Sequence, residues 1–226
     1  DTIKAATIKT DAKLAQLYNT YVKLGVGTEL MPLGEIYFDS KRSRKFLYGA
    51  HLKHLSSYGN FDNYAPAQFD RTKFGLYGAL NEKNYSLKAD MHYNNQGFHY
   101  YGWSIPTDSI DRKLNNNRFQ DVGGAFSFAS HKKDSASLNY KVGVEYNNFL
   151  SKKPDLDSLK NWRARENAFS ILSSGWYQQG KHVFAADFNI KHNTYKYGNL
   201  GDTLNALADS GIVRGNTIIN IKPTIS

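Results

Sequence analysis

Residues 84–95, NYSLKADMHYNN, divide cleanly into two alternating sets. Tyr85, Leu87, Ala89, Met91 and Tyr93 form one set; Ser86, Lys88, Asp90, His92 and Asn94 form the other. Successive side chains of a strand point to opposite sides, so a period of two predicts a strand with one apolar and one wet face. The same period recurs through the chain. It predicts ten strands, at about 17–26, 30–39, 45–55, 71–81, 84–95, 118–129, 136–148, 165–177, 182–191 and 217–225. Pro32 fits only near a strand start or a bulge. Residues 1–16 show no clear period and are expected to be a lead-in arm, with 17–226 forming one unit.

The links between these stretches alternate in length. Residues 40–44, 81–84, 130–135 and 178–181 make short turns; 56–70, 96–117, 149–163 and 192–216 make long loops. The link near 27–31 is short where the alternation asks for a long one. Successive hairpins with every tight turn at one end are the layout of an antiparallel up-and-down transmembrane β-barrel. Strands of about ten residues suit a tilted crossing of a bilayer. Charge follows the same division. The turns are basic (Lys41, Arg42, Arg44, Lys45, Lys83, Lys132, Lys133, Lys181), and the loops hold many of the acids (Asp62, Asp70, Asp108, Asp111, Asp155, Asp157, Asp202, Asp209).

Composition changes the picture at three points. The mean hydropathy of −0.59 suggests a water-soluble chain. A barrel exposes only alternate residues to lipid, however, so its average stays low. No run of about 18 apolar residues occurs, which excludes a transmembrane helix. The net charge of +9 would suit nucleic acid if the basic residues clustered within a recognisable module. They are spread over turns and strand faces instead, so no nucleic-acid partner is expected. The absence of cysteine is compatible with a reducing compartment and with an exported envelope protein.

The apolar set would face lipid at Leu76, Leu87, Met91, Phe126, Phe128, Val142, Val144, Phe184, Phe188 and Ile190. Tyrosines close several of these faces, as in an interfacial girdle. The wet set would line a lumen at Lys23, Glu35, His51, Lys53, Lys73, Lys88, Asp90, His92, Asp121, Lys141, Glu145, Asp187, Lys191 and Lys222. An open lumen with this modest lysine bias would favour small anions. A closed one would be filled by cross-strand salt bridges.

Certain short motifs carry a resemblance. HLKHLSSYG at 51–59, YYGW at 100–103, TIKT at 7–10 and YNTYVKLGVG at 18–27 together resemble a family of Bacteroidota outer-membrane β-barrels described as TonB-dependent-receptor-like or porin-like. The resemblance implies an outer-membrane location, with long loops extracellular and short basic turns periplasmic, and a barrel without chemistry of its own. Two departures stand out. A receptor of that type has a plug domain of over a hundred residues before its barrel. Its last strand ends on an aromatic residue, whereas here Pro223 precedes Ile225 and Ser226. An incomplete barrel belonging to a larger one is therefore expected, because open strand edges are not tolerated in lipid.

Candidate chemistry is sparse. His51, Lys53 and His54 stand near Ser56 and Ser57, but no orienting acid or amide can be assigned to a Ser–His pair. Asp108–Asp111 and Asp155–Asp157 are acidic loop tips without a calcium-loop pattern. Tyr100, Tyr101 and Trp103 are loop aromatics that could contact a ligand. No phosphate-cradling or dinucleotide fingerprint is present, so neither a cofactor nor a metal is expected. Three functions stay open: a pore for transport of small solutes, a non-catalytic barrel subunit of a larger membrane protein complex, and a barrel lipase or protease. Expected partners are membrane lipid and either other outer-membrane proteins or copies of the chain itself.

Overall fold

A computed structural model describes residues 18–41, 43–60, 64, 66–99, 116–132, 138–155, 160–199 and 212–225. The lead-in arm, Tyr100, Tyr101, Trp103 and the tip 108–111 lie outside them. Ten strands are present: β1 (Thr20–Gly27), β2 (Met31–Asp39), β3 (Phe46–Ser57), β4 (Phe69–Asn81), β5 (Tyr85–His99), β6 (Asn116–Ser130), β7 (Asn139–Asp155), β8 (Lys160–Gln179), β9 (His182–Asn199) and β10 (Ile212–Ile225). They form one antiparallel sheet in chain order, each strand paired with the next. The architecture is all-β and up-and-down. The sheet is open: among the described residues, β1 pairs only with β2 and β10 only with β9.

The alternation dictates this register. Each antiparallel pairing brings like faces together, so Leu80 stands opposite Leu87, Leu87 opposite Phe128, and Phe128 opposite Val142. A slip of one residue anywhere would put every apolar side chain of a strand on the wet face. The face assignments deduced from the period of two hold across all ten strands.

Beyond β1 and β2 the strands run longer than the alternation alone indicates, chiefly at the end away from the short turns. β7, β8 and β9 run for 17, 20 and 18 residues. The expected long loop at 149–163 shrinks to the link 156–159, because Phe149–Asp155 and Lys160–Arg165 continue the ladder. The patterning stops early since those extensions carry polar residues on both faces. The early short link also has a physical signature. Glu29 and Leu30 have φ of 60° and 52°, a left-handed pair typical of a tight hairpin that non-glycine residues adopt only at a cost.

Candidate functional site

On the polar face the side chains stand in rows across the sheet. One row runs Tyr21, Tyr37, His51, Gly75, His92, Gly123, Asn147. Tyr21 and Tyr37 have ring centroids 5.9 Å apart, and Tyr37 stacks on His51 at the same spacing with planes 20° apart. The His51 ring then lies over Gly75, and the His92 ring over Gly123, where a Cβ would collide with each imidazole. The row thus alternates bulk with bare backbone. Tyr77 does the same over Gly49, and its hydroxyl donates to Asp39 at 2.7 Å.

The next row carries charge: Lys23, Glu35, Lys53, Lys73, Asn94, Asp121. Lys53 and the buried Glu35 are 2.5 Å apart. Asp121 Oδ2 accepts from Asn94 at 3.2 Å and lies 3.2 Å from His92 Nε2, while its Oδ1 is buried with no hydrogen-bond partner among the described residues. All fourteen proposed lumen residues, from Lys23 to Lys222, share this face. Among the described residues, only Glu35–Lys53 and His92–Asp121 form ion pairs within this set. A hollow of about 550 Å³ opens on this side, lined by Asp90, His92, Glu145, Glu166, Ser170 and Lys191 among others. Phe98, Phe119 and Phe149 stack near the loop end of the same face, with centroids 5.9 and 6.0 Å apart.

The opposite face is an apolar band free of charge between its aromatic edge and its loop end, with Ser173 standing between Val142 and Phe188. Leu76, Leu87, Met91, Phe126, Phe128, Val142, Val144, Phe184, Phe188 and Ile190 all lie on it. Among the described residues nothing covers the band: Val22, Met91, Phe126, Val144 and Ile221 remain 39% to 70% exposed. A soluble monomer rarely shows more than a few hundred Å² of contiguous apolar surface. At the turn end the band is edged by rings, with Tyr85 stacked on Phe128 at 5.9 Å and Phe128 against Tyr140 at 5.7 Å. From Tyr85 to Tyr93 is about 26 Å along the strand, or about 20 Å for a strand tilted by roughly 40°. That approaches the roughly 25 Å height of a barrel's lipid-facing band.

At the loop end the band stops at a belt of hydrogen-bonded polar side chains that the alternation did not reveal. His54 Nδ1 lies 2.8 Å from Thr72 Oγ1. Asp70 accepts from Asn95 at 2.7 Å and from Arg118 at 2.9 Å, and Gln120 donates to Asn95 at 3.3 Å. Asn148 donates to Asn167 at 2.5 Å, and His192 Nδ1 lies 2.8 Å from Thr217 Oγ1. The visible signal was the switch from Leu, Phe and Val to Asn, Gln and Thr at matched positions.

The Ser–His candidates separate. His51 is on the polar face, while His54 and Ser56 are on the other. Ser56 is 2% exposed and its hydroxyl has no partner among the described residues, and Thr72 engages Nδ1 of His54. The geometry therefore presents no nucleophile–base pair at this position. Among the described residues no group of three or more His, Asp or Glu is placed to hold a metal ion. Neither a model of a known protein family nor any curated protein matches the chain.

Proposed function

We propose that the chain forms the wall of a bacterial outer-membrane β-barrel that passes small solutes, with its apolar face in lipid and its polar face lining the passage. One observation carries the reading: ten consecutive strands keep one face free of charge from the aromatic edge to the polar belt, and among the described residues that face has no covering layer. Side chains so exposed to water would be costly, about 25 cal/mol for each Å², and lipid removes that cost. On the polar face, few of the available cross-strand ion pairs form, which favours a hydrated interior over a lattice of salt bridges. The open edges of β1 and β10 would be covered by further strands, since unpaired backbone is not tolerated in a bilayer core.

Those edges also support a second reading, in which the sheet is a structural subunit that pairs with a partner in an envelope complex. Planar-bilayer recording on the full-length protein separates the two. Discrete conductance steps are expected of the pore. Insertion without conductance, together with co-purification of a stoichiometric partner, would replace the pore with the scaffold.

A further inference from the structure

Across β6–β9, level with the polar belt and on the same side as the apolar band, the extended strands carry a cluster of cations. Arg118 of β6 stands opposite Lys152 of β7, and Lys152 opposite Arg163 of β8. In the adjoining row nearer the band, Arg165 stands opposite Lys196 of β9. Like charges directly opposite one another destabilise a sheet, and here two adjacent rows are built that way. Only Arg118 has an acid, Asp70 at 2.9 Å. Among the described residues, Lys152, Arg163, Arg165 and Lys196 form no ion pair. The nearest acid in sequence, Glu166, points to the other face and accepts from Tyr195 at 3.0 Å. Arg163, Arg165 and Lys196 are exposed.

We infer that this cluster binds the phosphate of an anionic lipid headgroup. The inference rests on the membrane reading above. Arg165 lies four residues beyond the band residue Phe169, about 13 Å along the strand and about 10 Å in depth once tilted. That is where headgroups begin, and the side chains point outward, away from the passage. Strand spacing and residue rise put Arg163, Arg165 and Lys196 within about 10 Å of one another, a span that headgroup phosphate bridges. Guanidinium forks bind phosphate oxygens bidentately, and the lysines add point charge. Bound phosphate would also relieve the repulsion that the register imposes.

The full-length protein, purified in a zwitterionic detergent, is titrated with phosphatidylglycerol, with phosphatidylcholine and with inorganic phosphate, reading lipid retention by native mass spectrometry and thermal unfolding by fluorescence. Preferential retention of phosphatidylglycerol and a rise in Tm with it are expected. Each of Arg165→Gln and Lys196→Gln should weaken that binding roughly fivefold, and the pair roughly 25-fold. Without lipid the same variants should unfold at or above the wild-type temperature, because a repulsion has been removed; a merely structural role predicts the reverse. Equal retention of the two lipids, undiminished binding by the double variant, or inorganic phosphate binding as tightly as the lipid would each overturn the inference. Flotation with vesicles of phosphatidylcholine alone reads the membrane reading separately: failure to float removes that reading, whereas floating without phosphatidylglycerol preference removes only the headgroup site.

Discussion

The imidazole of His51 covers the backbone of Gly75 on the neighbouring strand, with the ring of Tyr37 stacked behind it. His92 repeats the arrangement over Gly123, but with a difference. The three atoms nearest a Cβ on Gly75 all belong to the ring of His51, which can swing away. A Cβ on Gly123 meets His92, Asn147 and the backbone carbonyl oxygen of Tyr146, 2.9 Å away. The carbonyl belongs to the ladder and cannot move freely. Gly75→Ala should therefore cost about 1 kcal/mol, chiefly lost stacking. Gly123→Ala should cost about 2–3 kcal/mol through overpacking. Urea unfolding in micelles or bilayers measures both, and equal losses would contradict the distinction.

A second prediction concerns the short turns. Lys45 Nζ lies 2.6 Å from Glu82, linking the β2–β3 turn to the β4–β5 turn. The hydrogen bond that Lys45 donates to Glu82, followed by the negative charge of Glu82, raises the pKa of Lys45 above the ordinary lysine value. A raised pKa means that the contribution is complete below the unfolded-state value near 10.4 and is lost as pH climbs through the folded-state value. Wild type should be more stable than Lys45→Met below about pH 10, and the two curves should converge above it. A difference that persists at high pH would assign the effect to packing on Phe46, which the ammonium overlies at 5.6 Å.

The polar face also divides by charge. On β1–β4 it carries Lys23, Lys53, Arg71 and Lys73 against Glu35 and Asp39; on β5–β10 the signs balance. The positive bias noted in the sequence is thus confined to one side of the sheet. A unit charge about 10 Å from an ion in water is worth about 0.4 kcal/mol. Lys23→Glu with Lys73→Glu changes four charges, or about 1.6 kcal/mol, which acts on anion and cation with opposite sign, so the anion-to-cation permeability ratio should fall by up to roughly two-hundredfold at low salt. The reversal potential across a salt gradient reads this directly. Lys141→Glu with Lys222→Glu, on the side where acids already balance the lysines, should shift the same ratio toward cations.

Much of this was legible because the period of two is strict where one side must be apolar. Leu87, Ala89 and Met91 sit where their alternation puts them, and all ten strands were visible. The belt and the cation cluster were not. In WRARENAF, Arg163 and Arg165 occupy the same alternate set as Phe169, so the rule reads them as a break in the pattern and ends the strand. Only the pairing of Leu150 with Arg165 and Lys152 with Arg163 reveals that the strand continues past the apolar band. Likewise, no local rule could bring Asp70, Asn95 and Arg118 together, because their contact is set by the register of three strands.

The sharpest prediction uses two adjacent residues. Val144 lies on the apolar band and Glu145 on the polar face, pointing to opposite sides of β7. If lipid covers the band, Val144→Arg places a cation near mid-membrane at a cost of about 2–4 kcal/mol. Glu145→Arg should cost little, since its side chain is exposed and makes no ion pair among the described residues. A protein layer over the band would also reject Val144→Arg, so a third variant is needed. Val144→Phe adds volume: a packed core would lose about 1–3 kcal/mol to overpacking, whereas fluid lipid gives way. The folded fraction, read from the gel mobility of unheated samples, should therefore fall for Val144→Arg and stay near wild type for Glu145→Arg and Val144→Phe. Loss of folding in Val144→Phe would mean that protein, and not lipid, covers this face.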